Sequence, residues 1–163
     1  MAGSSEVRQV PVPASALALS TLERVDYGDA FVVGVDAVRE RTAEQWVAAI
    51  LEGAPAKVRY SLVAGWSALG LRLDRGEESV LGWPVRRSTA GTVLLGADSS
   101  IGMEAELLLQ RRRGSLLFCT FVHQGNPAAR ALWAGIEPVH VPIVRSVLAH
   151  AARAGGLSRA VTA

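Results

Sequence analysis

The stretch that most constrains the fold is Asn126 to Ala154, NPAARALWAGIEPVHVPIVRSVLAHAARA. Asn126 is suited to cap a helix, because its side-chain oxygen can accept an orphan N–H of the first turn. Pro127 then occupies the first helical position, where a missing N–H costs nothing. Leu132, Ile136, Val139, Ile143 and Val147 recur at helical spacing and form one apolar stripe, while Arg130, Arg145 and Arg153 fall away from it. Gly155-Gly156 is the expected end of the helix. Pro138 and Pro142 lie inside the pattern, where each removes a hydrogen bond and crowds the carbonyl four residues back, so a kink is expected. His140 lies between them and falls within the apolar arc. A titratable ring therefore points inward where the helix backbone is imperfect. It reads either as a core histidine satisfied by a nearby carbonyl or as a polar group lining a cavity.

Before this helix the chain offers strands and two shorter helices. Ala30–Val35 is a β-branched run and the first predicted strand, preceded by Asp26 and Asp29 in a polar turn. Thr42 and Gln45 form a capping box for a helix that carries Trp46, Val47, Ile50 and Leu51 on one face. Pro55 opens a second helix with the stripe Val58, Leu62, Trp66 and Leu69, and Gly70 is suited to end it. Four strands follow at hairpin spacing: Val80–Arg87, Thr92–Ala97, Ile101–Arg111 and Ser115–His123. Glu104 and Glu106 share one face of the third and read as solvated outer residues. The fourth is apolar on both faces, so it is either central and covered twice or part of a dimer interface.

At 163 residues, with 50% apolar and 20% charged side chains, the chain has material for one core. Residues 1–9 read as a disordered leader, 10–156 as a single domain and 157–163 as a flexible tail. No apolar run approaches the roughly 18 residues of a membrane span. The net charge of +2 and the short clusters Arg86-Arg87 and Arg111–Arg113 argue against a nucleic-acid footprint. Cys119 is the single cysteine, which excludes an intrachain disulfide and a cysteine-based zinc site. His123, His140 and His150 lack a metal-ligand spacing, and neither a GxSxG elbow nor a phosphate-cradling glycine loop is present. No metal and no cofactor are expected. With no signal-peptide pattern in the first residues, a cytoplasmic location is the expectation.

Three stretches carry a family likeness: Asp26-Tyr27-Gly28-Asp29-Ala30-Phe31, Trp66 through Leu69-Gly70-Leu71, and Trp133 with Ile136-Glu137-Pro138-Val139-His140. With the order strand, helix pair, antiparallel run and long helix, they resemble the START/SRPBCC superfamily of helix-grip proteins, which includes polyketide cyclase-like members. More closely, they resemble a bacterial domain family of unknown function. The resemblance implies an α+β fold in which a curved antiparallel sheet wraps around the C-terminal helix and leaves a cavity between them. The chain departs from that fold in offering four strands between helix pair and last helix, where six are usual.

A helix gripped in this way would bring Tyr60, Trp66, Trp83, Trp133 and Glu137 to the border of one largely apolar space. His140 and His123 are the candidates for proton transfer there. The expected ligand is a hydrophobic or aromatic small molecule. The alternatives are a cyclase, dehydratase or isomerase using a cavity histidine, and a non-catalytic partner or homodimer module.

Overall fold

The computed structural model describes residues 6–74, 76 and 78–162, with side chains as far as residue 154. Its strands are β1 (Val7–Val10), β2 (Tyr27–Gly34), β3 (Ser79–Val80), β4 (Trp83–Ser88), β5 (Thr92–Ala97), β6 (Met103–Arg112) and β7 (Ser115–Gln124). Its helices are α1 (Ala14–Leu17), α2 (Ala43–Glu52), α3 (Ala56–Ala68) and α4 (Pro127–Thr162). The strands form one antiparallel, curved, open sheet in the order β1-β2-β7-β6-β5-β4-β3. The fold is α+β and helix-grip-like, with the sheet wrapped around the long C-terminal helix.

Several elements differ from the sequence reading. Val7–Val10 falls largely within the expected leader but pairs with β2, Val7 opposite Val33 and Val10 opposite Ala30. An edge strand this short has too few residues to show alternation. Residues 1–5 of that leader lie outside the described residues. The first strand begins at Tyr27 rather than Ala30, which places Asp29 inside the sheet. The run Val80–Arg87 is broken into β3 and β4 by Leu81 (φ 48°) and Gly82 (φ 93°), a pair of left-handed residues that closes a tight hairpin. The helix pair and α4 are thus separated by five strands, not four. α4 continues through Gly155-Gly156 to Thr162, across most of the expected tail. Two glycines weaken a helix by about 1 kcal/mol each but do not remove its hydrogen bonds. Ala163 lies outside the described residues. Pro138 and Pro142 both lie inside α4.

The concave face of the sheet, with Phe31, Val33, Leu95, Leu107, Leu109 and Phe118, packs against α2 and α4. The capping box of Thr42 and Gln45 is formed, and Trp46, Val47, Ile50 and Leu51 of α2 are buried. The convex face has a second cover. Ala30, Leu94, Leu108, Leu117, Cys119 and Phe121 are packed beneath Ala16, Leu22, Val12, Leu19 and Val25 of the N-terminal segment. This explains why β7 is apolar on both faces. It is also hydrogen-bonded along both edges, to β2 and β6, so it offers no free surface for a dimer. Burial raises the Cys119 thiol to about 12, consistent with an inert core position.

The segment that covers the convex face is held by a buried charge. Glu106 is fully buried and accepts hydrogen bonds from Ser20 Oγ (2.6 Å), Thr21 Oγ1 (2.6 Å), Thr21 N (3.1 Å) and Arg86 Nη1 (3.0 Å). It is not a solvated outer residue, because alternation on a sheet covered on both sides turns every side chain inward. Arg86 occupies a β-bulge between Val85 and Arg87 and also reaches Glu104 Oε2 at 2.8 Å. It lies over Gly96, where a β-carbon would collide with its guanidinium. Burial alone would lower the Arg86 pKa, but its hydrogen bonds to Glu104 and Glu106 prevail and raise it.

Ala37 adopts a left-handed conformation (φ 52°) at the turn before α2. That conformation costs an L-residue about 1–2 kcal/mol, while glycine returns about 0.4–1 kcal/mol through the entropy of the unfolded chain. Ala37→Gly is therefore expected to raise stability by about 0.5 kcal/mol, read as a higher urea midpoint. A lower midpoint would show that this turn carries no strain.

Candidate functional site

Between the sheet, α3 and α4 lies a cavity of about 390 Å³. Met103, Ala105 and Leu107 of β6 with Thr120 and Val122 of β7 form its floor. These are the concave-facing positions of two paired strands, and Ala105 stands opposite Ala97 and Val122. Small side chains there leave the hollow that larger ones close further along, where Leu107 pairs with Leu95 and Leu109 with Val93. Leu62 and Trp66 of α3 and Trp133, Ile136 and His140 of α4 form the opposite wall. A smaller void of about 60 Å³ adjoins it, sharing Thr120 and His140 among its walls.

The helices around the cavity are covered less than a solid core requires. No residue of α3 is buried; its stripe of Val58, Leu62, Trp66 and Leu69 is only half-buried. On α4, Leu132, Val139 and Ile143 belong to the predicted apolar stripe yet remain 39%, 56% and 43% exposed, and all three border the cavity. Apolar surface that the protein itself does not cover is thus concentrated at the cavity mouth.

The expected site residues divide clearly. Trp66, Trp83, Trp133 and His140 line the cavity together. Trp66 and Trp83 meet edge to face at 5.4 Å, and Trp133 lies 5.1 Å from the His140 ring. Tyr60 does not belong to the site; it is 81% exposed. Two residues along α3 from both Val58 and Leu62, it points away from the inward stripe. Glu137 is also misplaced. It borders a groove on the outer side of α4 with Gln9, Tyr27, Asp29 and Pro138, since one step of about 100° from Ile136 carries it past the cavity rim. His123 is excluded by strand alternation: Thr120 and Val122 face the cavity, so Phe121 and His123 face the other way. Its Nδ1 lies 3.2 Å from Asp26 Oδ2 without the alignment of a hydrogen bond. Arg24 and the Gln124 backbone N–H together hold the Asp26 carboxyl down at about 2.

The residues missing from the sequence reading are Tyr27, Asp29 and Thr120. Asp29 is 3% exposed, and its Oδ2 receives the Tyr27 hydroxyl at 2.6 Å and lies 3.0 Å from His140 Nε2. Tyr27 packs at a tilt against Trp133, ring centres 4.9 Å apart, and its pKa is raised by burial and then by the hydrogen bond to Asp29. Asp29 Oδ1 and Thr120 Oγ1 are buried without hydrogen-bond partners, on residues paired across β2 and β7. The signal was available as period two. Tyr27, Asp29, Phe31 and Val33 share one strand face, and a strand begun at Tyr27 would have turned Asp29 inward beside Phe31.

Comparison with protein-family models, with curated proteins and with solved structures gives no significant match. The functional reading therefore rests on the cavity itself. Among the described residues no group of His, Cys, Asp and Glu could hold a metal ion, and no helix is long and apolar enough to cross a membrane.

Proposed function

We propose that this chain binds a hydrophobic or aromatic small molecule between the sheet, α3 and α4. The observation that carries the reading is the composition of the cavity wall: nearly all apolar, with Ser61, Thr120 and His140 as its polar exceptions and aromatic rings on facing sides. A volume of about 390 Å³ lies within the usual range for ligand pockets. The partly exposed Leu132, Val139 and Ile143 at the mouth give an apolar guest more surface to cover. The resemblance to the START/SRPBCC superfamily points to the same class of ligand.

The neutral dye N-phenyl-1-naphthylamine tests this directly. Its fluorescence is expected to rise on binding and to fall when unlabelled neutral aromatics compete. A ligand that binds only the folded chain at about 100 times its Kd adds about 2.7 kcal/mol, a rise of several degrees in Tm for a chain of this size. The absence of both a fluorescence gain and a Tm shift with every neutral aromatic tried would defeat the reading.

A further inference from the structure

We infer that His140 is the general base of a proton-transfer site in this cavity, acting on an apolar, enolisable carbonyl compound. Asp29 and Tyr27 position it. The inference rests on the binding reading above and adds a reaction to it.

His140 is the titratable side chain among the described cavity-lining residues. Its Nε2 faces the Asp29 carboxylate at 3.0 Å, and that carboxylate also receives the Tyr27 hydroxyl. A carboxylate oxygen only accepts, so this contact requires the ring proton on Nε2 and leaves the Nδ1 lone pair free. No hydrogen bond engages Nδ1 among the described residues, and it is not one of the buried orphan atoms. Trp133 at 5.1 Å and Tyr27 at 6.1 Å pack edge-on to the ring and hold its plane.

A core histidine needs only a carbonyl for its N–H. Burying a carboxylate there instead is costly unless a positive charge forms beside it. Asp29 is 3% exposed and keeps one oxygen without a partner, which suits a group whose counter-charge appears during a reaction. The network also crosses the wall. His140 lines the cavity, while Tyr27 and Asp29 border the outer groove beside Glu137, so the network links the two spaces. Thr120, on the cavity floor, carries a hydroxyl that is buried and without a partner.

In the step, the C–H bond next to the carbonyl breaks and its proton goes to Nδ1. The electron pair moves into an enolate. In a β,γ-unsaturated substrate, return of the proton from Nδ1 to the γ-carbon completes an isomerisation with no oxidant or co-reactant.

The test uses 5-nitrobenzisoxazole, a neutral aromatic carbon acid. A base removes its ring C–H proton, the N–O bond opens, and the coloured 2-cyano-4-nitrophenolate is released. The wild-type chain is expected to show saturable turnover that N-phenyl-1-naphthylamine inhibits competitively. His140→Gln should lower the rate about 10²-fold or more while the dye still binds. Asp29→Asn and Tyr27→Phe should lower kcat and leave KM nearly unchanged, a split that a merely structural role would not produce. Equal rates for wild type and His140→Gln, with dye binding intact in both, would overturn the base assignment and leave the binding reading standing. Failure of the dye to bind the wild type would remove both. Should His140→Gln not fold, dye-saturated wild type serves as the control, and a rate that survives saturation overturns the proposal.

Discussion

Glu106→Ala is expected to lower the unfolding free energy by about 3–5 kcal/mol, the cost of breaking a buried ionic network from one side. The carboxylate is fully buried and is the common acceptor for Ser20, Thr21 and Arg86. Its removal leaves Arg86 with only the more exposed Glu104 and Asp98 and takes away the acceptor of the two hydroxyls that fasten the N-terminal segment to the sheet. The loss would spread, because that segment covers Leu94, Leu108, Leu117 and Phe121. Urea denaturation followed by tryptophan fluorescence gives the number. Glu106→Gln should lie between the two, since it keeps an acceptor and loses the charge. Glu106→Leu with Arg86→Met should be milder than Glu106→Ala, because the guanidinium goes with its carboxylate and apolar side chains fill the space. A loss below about 1 kcal/mol for Glu106→Ala would place the cluster with ordinary surface ion pairs.

This cluster also shows where the sequence stops being readable. Capping chemistry, hairpin spacing and helical stripes are local signals, and they located α2, α3, β5, β6, β7 and the start of α4. Whether a sheet face meets water depends on what the rest of the chain does. Glu106 sits in an alternating strand and looks solvated; it is buried because residues 11–25 fold back over it. The two-sided apolar pattern of β7 was the clue to that cover, and it was equally compatible with a dimer.

The candidate site was half visible for the same reason. His140, Trp133, Trp66 and Trp83 were found because helix and strand periodicity turn them inward. Tyr60 and Glu137 sat close in sequence to inward residues and point elsewhere. Asp29 was concealed by its neighbours: Tyr-Gly-Asp resembles a turn, and only the pairing of Tyr27 with Val122 and Asp29 with Thr120 shows it to be strand. Its meeting with His140 joins residues 111 positions apart, which no local pattern encodes.

Filling the cavity from its floor separates a binding pocket from an imperfect core. Ala105→Phe is expected to weaken N-phenyl-1-naphthylamine binding by about 10²-fold, equivalent to about 2.8 kcal/mol, while leaving the unfolding free energy within about 1 kcal/mol of wild type. Ala105 faces the hollow from the third position of β6, between Ala97 and Val122, and lines the cavity with Trp133 and Trp66. A phenyl ring there enters existing space, so the usual cost of about 1–3 kcal/mol for overpacking a dense core does not arise, and the new contacts with the aromatic wall offset any local strain. If the region were packed solidly, the same substitution would destabilise the chain and could not change a binding site that did not exist. Fluorescence titration and urea denaturation of one variant therefore read opposite outcomes. Unchanged dye affinity with a stability loss of about 2 kcal/mol or more would show that the ligand site is not on this floor. Lost affinity with stability kept would locate it between β6 and the helices that carry Trp66 and His140.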